Sequence, residues 1–221
     1  QYLFCAYEVV MKVKICGLTR PEEAEYLNAY GADLAGFVLC YPRSRRNISI
    51  DRAMEIRGRL SKHIKSVAVT VSPTIEQASE ICDYRFDLIQ IHGDIPDGYA
   101  SLPNKLPIIK AFNVHDLGDY GELLKNSDIA GFVFDAATPG SGVTFDWDAV
   151  TGLKRMPGLL YILSGGLTPD NVSIAISHVH PDIVDVSSGV EYDAAPADQS
   201  LQGFRGKDPE KIRAFISAAK Q

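Results

Sequence analysis

Short runs of apolar and β-branched residues alternate with amphipathic stretches from residue 12 onward, and turn-forming residues fall between them. This alternation is typical of repeated βα units on a parallel sheet. The apolar runs predict eight strands, at residues 13–16, 34–39, 66–71, 88–92, 108–112, 131–135, 160–164 and 183–187. The amphipathic stretches predict helices at residues 21–30, 51–60, 74–82, 117–125, 147–153, 169–177 and 209–219, with at most a short helix within 94–103.

Eight strands with intervening helices in about 210 residues predict a single α/β domain, a compact (β/α)8 TIM barrel. An open, doubly wound sheet would also alternate its elements, but it usually has about five or six strands. Local signals for helix starts agree with this division: Thr19 and Thr74 begin capping boxes, and Thr168 and Asp208 each precede a proline. We assign residues 11–221 to the barrel and interpret residues 1–10 as an N-terminal extension of unknown role, with Met11 as the native start.

The charge balance argues against a general attraction for anions. Lysine and arginine total 22 against 28 aspartate and glutamate residues, which gives a net charge of −6. We therefore expect no nucleic-acid partner and no membrane partner, and any anionic substrate must be held by local groups. All apolar runs are far shorter than the roughly 20 residues that cross a bilayer. The four cysteines have no CxxC spacing, which favours free thiols and a cytoplasmic location.

Polar residues that end the predicted strands are the first candidates for chemistry, because barrels of this type carry their active site at the carboxyl ends of the strands. The first strand ends in Cys16 and Gly17, and the sixth ends in Asp135. The last two strands run into Ser164-Gly165-Gly166 and Ser187-Ser188-Gly189. Glycine-rich turns expose backbone N–H groups that bind phosphate, although a Gly-Gly pair can also serve only a tight turn. Their position after strands seven and eight matches the usual phosphate site of the fold.

Five groups of residues, taken in order, resemble one family. They are Lys14-Ile-Cys-Gly17, Gln90-Ile-His-Gly93, Phe134-Asp135 with Gly140-Ser-Gly142 and Phe145-Asp-Trp147, Ser164-Gly-Gly-Leu-Thr-Pro169, and Asp185-Val-Ser-Ser-Gly-Val-Glu191. Over residues 12–219 the chain is similar to the phosphoribosylanthranilate isomerase family of tryptophan biosynthesis. The resemblance implies an Amadori rearrangement of N-(5′-phosphoribosyl)anthranilate to 1-(2-carboxyphenylamino)-1-deoxyribulose 5-phosphate, by general acid–base catalysis and without a cofactor. It also implies a small-molecule phosphosugar as partner, and a monomer or homodimer.

The resemblance implies roles for single residues. Cys16 is the general base and Asp135 the general acid. Arg46 anchors the anthranilate carboxylate, because a guanidinium can bind both carboxylate oxygens. Asp185 binds substrate hydroxyl groups or helps to close the barrel. The phosphate is held by residues of the two glycine-rich turns, namely Gly165, Gly166, Ser187, Ser188 and Gly189.

Two loops depart from the family's pattern. Arg45 stands where the family's Ser-Pro-Arg loop has proline, which leaves open a less rigid loop in which Arg43 or Arg45 shares the task of Arg46. Pro139 stands where the family usually has glycine, which bears on the mobility of the sixth loop more than on its chemistry.

Both catalytic groups need an altered pKa. An ordinary thiol is only a few per cent thiolate at pH 7, so a cysteine base needs help. Lys14, on the same face of the strand two residues before Cys16, is the candidate helper, and the alternative is that its ammonium group is paired elsewhere. Asp135 must hold a proton near neutral pH, and apolar surroundings and a nearby thiolate would both raise its pKa. The two groups would then titrate as a coupled pair.

Two other classes of function stay open. One is another phosphosugar isomerase or epimerase on this barrel, such as the aminoimidazole carboxamide ribotide isomerase of histidine biosynthesis, which uses two aspartates. Cys16 and Asn113 at the ends of strands one and five disfavour it, and a metal-dependent epimerase lacks its ligand set. The other class is a catalytically inactive barrel that binds phosphate, which the presence of Cys16 and Asp135 disfavours.

Overall fold

The computed structural model describes residues 11–113, 117–118, 120–135, 147–193 and 204–221. The extension predicted at residues 1–10 and Pro139 of the sixth loop lie outside the described residues. The segment from Gly140 to Phe145, which carries part of the family motif, lies outside them as well.

Eight parallel strands close into a barrel in chain order, which confirms the predicted architecture. They are β1 (Lys12–Cys16), β2 (Leu34–Val38), β3 (Lys65–Val71), β4 (Leu88–His92), β5 (Ile108–Asn113), β6 (Ile129–Asp135), β7 (Leu160–Leu163) and β8 (Ile183–Val186). Each end differs from its predicted position by two residues at most. The barrel closes where β1 pairs with β8, with Lys14 opposite Asp185.

Helices cover the outside of the barrel between most of the strands. They are α1 (Glu23–Tyr30), α2 (Ile50–Arg57), α3 (Ile75–Asp83), α4 (Tyr120–Leu123), α5 (Asp148–Thr151), α6 (Val172–Val179) and α7 (Pro209–Ala219). Between β4 and β5 the chain forms only a 3-10 turn, Tyr99–Ser101, in agreement with the weak helical pattern there. A second 3-10 turn, Ser188–Val190, follows β8. In the part of the chain that the structure describes, no helix has the length and apolar character that crossing a bilayer requires.

Two of the four predicted helix caps are confirmed. Thr74 caps α3 through a complete capping box, and Asp208 caps α7. The capping box predicted at Thr19 is wrong, because the carboxylate of Glu23, inside α1, accepts the backbone N–H groups at this position instead. The cap predicted at Thr168 is also wrong, because α6 begins four residues later. Residue types that favour helix caps also favour turns, so they can stand in a turn before the helix without starting the helix themselves.

The barrel interior and the layer beneath the helices form two separate apolar cores, because successive strand residues point to opposite faces of the sheet. The interior core consists of Cys16, Leu34, Val67, Val69, Ile109, Ala111, Val133, Ile162 and Ile183. The same alternation carries Lys14, Gln90 and Asp185 into the interior, where they are 0%, 3% and 3% exposed. Burial of three polar side chains is costly unless they satisfy one another.

Candidate active site

One cavity of about 390 Å³ opens at the carboxyl ends of the strands, and we call it the barrel-mouth cavity. Eight of the nine residues predicted for the site line it, namely Cys16, Arg46, Asp135, Gly165, Gly166, Asp185, Ser187 and Ser188. Gln90 and His92, from the motif Gln90-Ile-His-Gly93, line it as well. A larger cavity of about 770 Å³, lined by residues between Gly93 and Asp128, contains none of the predicted site residues. The smaller cavity is therefore the candidate active site.

Cys16 is the last residue of β1, and its thiol is 9% exposed and free. Gly36 on β2 lies against it, since a Cβ at that position would stand 2.8 Å from the Cys16 Sγ. Burial raises the pKa of the Cys16 thiol, and the ammonium group of Lys14 opposes this rise. Lys14 thus acts in the direction that a cysteine base needs, but the effect of burial is larger.

Lys14 lies on the same face of β1 as Cys16 and is fully buried. Its Nζ donates to Oδ2 of Asp185 at 2.7 Å and to Oε1 of Gln90 at 2.8 Å. Because Gln90 accepts through Oε1, its Nε2 donates to Nε2 of His92 at 2.9 Å, which leaves the ring proton of His92 on Nδ1. Burial and the nearby Lys14 lower the pKa of His92 to about 4, so the ring is neutral at pH 7. The Lys14 ammonium is therefore paired, as the alternative expectation has it, while it also interacts with the thiol.

Replacing Lys14 with methionine should raise the pKa of the Cys16 thiol further. Methionine is similar in shape but uncharged, so the thiolate loses the cation that opposes the effect of burial. The measurement is a thiolate absorbance titration of the variant and the parent, with the other three cysteines replaced by alanine in both proteins. An unchanged thiol pKa would show that Lys14 serves packing and pairing alone.

Asp135 ends β6, a strand that is apolar up to this residue, and the carboxyl group is 8% exposed. On the outer face of the same strand, Phe132 and Phe134 pack against Tyr120 and Tyr161, with ring centroids 4.9 to 6.3 Å apart. Aromatic pairs of this kind stabilise packing by about 0.5–1.5 kcal/mol each. The strand places its carboxyl group in the barrel-mouth cavity.

The turns after β7 and β8 contribute further lining to the cavity. Gly165 and Gly166 have φ values of +87° and +64°, in the left-handed region that favours glycine. After β8, the hydroxyl of Ser187 donates to the backbone oxygen of Cys16 at 3.0 Å. The predicted phosphate-binding turn is thereby tied to the end of β1.

Gly189 does not line the barrel-mouth cavity, unlike the other residues predicted for the phosphate. A Cβ at this position would overlap the carbonyl oxygen of Leu167 in the turn after β7. The missing side chain therefore allows the turns after β7 and β8 to pack directly against each other. The geometry requires glycine at 189 for loop packing, and the predicted contact of its backbone with phosphate stays a prediction.

Of the three arginines after β2, only Arg46 lines the barrel-mouth cavity, and its side chain is 12% exposed. Gly17 makes this position possible, because a Cβ there would stand 2.5 Å from Cδ of Arg46. Arg45 is exposed and stacks on the ring of Phe204, and Arg43 is exposed. The geometry favours Arg46 over its two neighbours as the group that meets a ligand.

Sequence reasoning did not assign Glu191 or Lys207 to the site, yet both are buried behind Arg46, at 4% and 1% exposure. Glu191 accepts from Nε and Nη2 of Arg46, from Arg45, and from Nζ of Lys207. We call these four residues the Glu191 cluster. Burial opposes ionisation, but Lys207 and Arg46 lower the pKa of Glu191 to about 2. Glu191 ends the motif that begins at Asp185, which could have drawn attention to it, whereas Lys207 carried no signal.

The Glu191 cluster should make the folded state sensitive to acid. The pKa of Glu191 is about 2 in the fold against an ordinary 4.5, so its contribution is complete above pH 4.5 and is lost as the pH falls towards 2. The difference between the two pKa values corresponds to about 3 kcal/mol in the free energy of unfolding. Urea unfolding of the parent and of Glu191→Gln between pH 6 and pH 3 tests this. The difference in stability should narrow as the pH falls, and a constant difference would contradict the assignment.

The part of the chain that the structure describes contains no group of three or more His, Cys, Asp or Glu side chains that could hold a metal ion. A barrel that brings a thiol and a carboxyl group into one cavity, beside glycine-rich turns after its last two strands, belongs to the class built for acid–base chemistry on phosphorylated small molecules. Residues 13–218 match the family model described as N-(5'phosphoribosyl)anthranilate (PRA) isomerase. The chain belongs to this family, which confirms the resemblance inferred from its motifs.

Individual relatives agree with the family match. The N-(5'-phosphoribosyl)anthranilate isomerase of Geotalea uraniireducens is 42% identical over 214 residues, which cover 95% of this chain and 98% of the relative. The crystal structure of the enzyme from Thermotoga maritima has a TM-score of 0.77 and 35% identity, and covers 95% of this chain and 98% of its own. A phosphoribosyl anthranilate isomerase solved in complex with reduced 1-(o-carboxyphenylamino)-1-deoxyribulose 5-phosphate has a TM-score of 0.72 and 33% identity, with the same coverage.

Proposed function

We propose that this chain catalyses the isomerisation of N-(5′-phosphoribosyl)anthranilate to 1-(2-carboxyphenylamino)-1-deoxyribulose 5-phosphate in tryptophan biosynthesis. The observation that carries the proposal is that Cys16 and Asp135 line one cavity together with Arg46 and the glycine-rich turns. The reaction needs an acid and a base, and the substrate needs a site for phosphate and a site for carboxylate. The family relation and the analogue bound by a relative support the same substrate.

The proposed reaction uses one proton donor and one proton acceptor. Asp135 gives its proton to the furanose ring oxygen as the C1′–O bond breaks, which yields the open-chain imine. The Cys16 thiolate then takes the proton from C2′, and the resulting enolamine tautomerises to the aminoketone. The total number of protons is unchanged, as an isomerisation requires. Lys14 is the group that favours the thiolate against the effect of burial.

Local groups hold the anionic substrate in a protein of net charge −6. The phosphate lies against the backbone N–H groups of the turns after β7 and β8, where glycine at 165 and 166 lets the backbone approach closely. Arg46 binds the anthranilate carboxylate. Oδ1 of Asp185 is buried and has no hydrogen-bond partner in the described ranges, while its residue lines the cavity. A buried acceptor of this kind is suited to a substrate hydroxyl group.

The test is a direct assay on freshly prepared N-(5′-phosphoribosyl)anthranilate, followed by the decay of its fluorescence. The matched control is the double variant Cys16→Ala/Asp135→Asn. We expect the parent to accelerate the decay far beyond the control. Equal rates would refute the isomerase, and binding of the reduced product analogue without turnover would indicate an inactive phosphate-binding barrel instead.

Three further expectations accompany this function. We propose that the protein works in the cytoplasm, as a biosynthetic enzyme of this family would. Its partner is the small phosphosugar, and the expectation of a monomer or homodimer stays a prediction. Sedimentation equilibrium across a range of protein concentrations distinguishes the two oligomeric states.

A further inference from the structure

The guanidinium of Arg46 uses one of its edges to bind the carboxylate of Glu191. Nε and Nη2 both donate to the carboxylate of Glu191, at 2.5 and 3.1 Å. This bidentate arrangement fixes the plane of the guanidinium as well as its position. Because the five N–H donors lie in one plane, the Nη1 group and the second N–H of Nη2 remain on the other edge. Arg46 lines the barrel-mouth cavity, so this edge is available to a ligand carboxylate.

Glu191 is itself held in one position. Nζ of Lys207 donates to Oε1 of Glu191 at 3.1 Å, and it lies 3.1 Å from the backbone oxygen and 3.3 Å from the hydroxyl of Ser187. Ser187 begins the turn after β8, and its hydroxyl donates a hydrogen bond to the backbone oxygen of Cys16. One buried ammonium group therefore connects the support of Arg46 to the turn proposed to bind phosphate.

The Glu191 cluster does not cancel the charge that Arg46 offers to a ligand. Its single carboxylate is shared among three cations, Arg45, Arg46 and Lys207. The cluster therefore keeps an excess of positive charge beside the cavity. Since Glu191 is 4% exposed and Lys207 is 1% exposed, solvent and salt screen this charge less than they would at the surface.

We infer that Glu191 is a positioning residue: it aims the free edge of Arg46 at the substrate carboxylate, and Lys207 locks it against the phosphate-binding turn. The inference rests on the proposed function, because it takes Arg46 as the anchor of the anthranilate carboxylate. A purely structural role for Glu191 would lower the amount of folded enzyme. A positioning role acts on substrate binding through Arg46.

A double-mutant cycle separates these two roles. Arg46→Met should raise KM about 10- to 100-fold, the usual effect of losing a charged hydrogen bond. Glu191→Gln should raise KM about 10-fold and change kcat by less than about 3-fold. The double variant should match Arg46→Met within about 2-fold, because Glu191 acts through Arg46. Lys211→Met is the matched control and should keep the parent's constants, because Lys211 donates to the backbone oxygen of Glu191 rather than to its carboxylate.

Ligand binding provides a readout that is independent of turnover. Glu191→Gln should raise the Kd of the reduced product analogue, which carries the carboxylate, about 10-fold. It should change the binding of ribose 5-phosphate, which lacks that carboxylate, by less than about 2-fold. If Glu191→Gln does not fold, Glu191→Asp keeps the charge but shortens the reach, and it carries the same expectations.

The outcomes distinguish the inference from the function on which it rests. Equal losses for both ligands, or independent effects of the two substitutions in the cycle, would overturn the positioning role of Glu191. If Arg46→Met binds the analogue as the parent does and the parent shows no turnover, the proposed function has failed and the positioning role fails with it. Loss of analogue binding in Arg46→Met but not in Glu191→Gln would support the proposed function and contradict the positioning role of Glu191.

Discussion

Replacing Cys16 with alanine, or Asp135 with asparagine, lowers kcat by about 10²- to 10⁴-fold, the usual contribution of a general acid or base. In the proposed mechanism, alanine at 16 leaves no base for the C2′ proton, and asparagine at 135 cannot give a proton to the ring oxygen. KM should change little, because Arg46 and the glycine-rich turns, which are proposed to bind the substrate, stay in place. The kcat of the double variant should be at most about 10-fold below that of the less active single variant, since the effects of substituting groups that act as a unit are not additive.

The fluorescence assay of both single variants beside the parent checks this result. Circular dichroism and a urea unfolding curve for each variant show that a slow enzyme is still a folded one. Cys82→Ala is a matched control for loss of a buried thiol, because Cys82 lies in the core beneath the helices and not at the barrel-mouth cavity. Parent-like turnover in either Cys16→Ala or Asp135→Asn would remove that residue from its proposed role.

Replacing Lys14 with methionine lowers the free energy of unfolding by about 3–5 kcal/mol, the usual cost of removing one partner of a buried ion pair. Lys14 is fully buried and Asp185 is 3% exposed, so the variant leaves a carboxylate in the barrel interior without its cation. Replacing both residues, as Lys14→Met/Asp185→Leu, should recover most of the loss, because an apolar pair of similar volume carries no charge that must be desolvated. Urea unfolding at pH 7 measures all three proteins.

The matched control for this result is another lysine–aspartate pair, formed by the first residue of β3 and the residue just before β4. Nζ of Lys65 lies 2.8 Å from the carboxylate of Asp87, but the two side chains are 59% and 31% exposed. Lys65→Met should therefore cost about 1 kcal/mol or less. If Lys14→Met cost no more than Lys65→Met, the interior pair would not stabilise the barrel in the way that its burial suggests.

The strands could be predicted from the sequence because each is an apolar run with turn residues on both sides. Their number and order then led to the closed barrel, and the barrel placed Cys16 and Asp135 at its mouth. Helix starts were harder, as Thr19 shows. Its hydroxyl could have capped a helix, but Glu23 lies close enough to take the backbone N–H groups, and only the folded turn decides between the two.

The pairs inside the barrel and behind Arg46 could not be predicted from spacing. Lys14 and Asp185 are 171 residues apart, and their contact depends on the register in which β1 meets β8. Glu191 reaches Arg46 across 145 residues of chain. Gly189 illustrates a different limit. The sequence does not show that a side chain at this position would meet a neighbouring loop, and only the folded position of the Leu167 carbonyl shows it.

The polar groups beneath Cys16 have a consequence for engineering this fold. Loop exchange between barrels of this kind would carry along Arg46 and the glycine-rich turns, which lie beyond the strand ends. It would leave behind Lys14, Gln90 and Asp185, which are built into the strands. If these loops bind the substrate as proposed, a hybrid made in this way would inherit that affinity without the electrostatic environment of Cys16, the proposed base. Transfer of catalysis would require the recipient's strands to be rewritten as well.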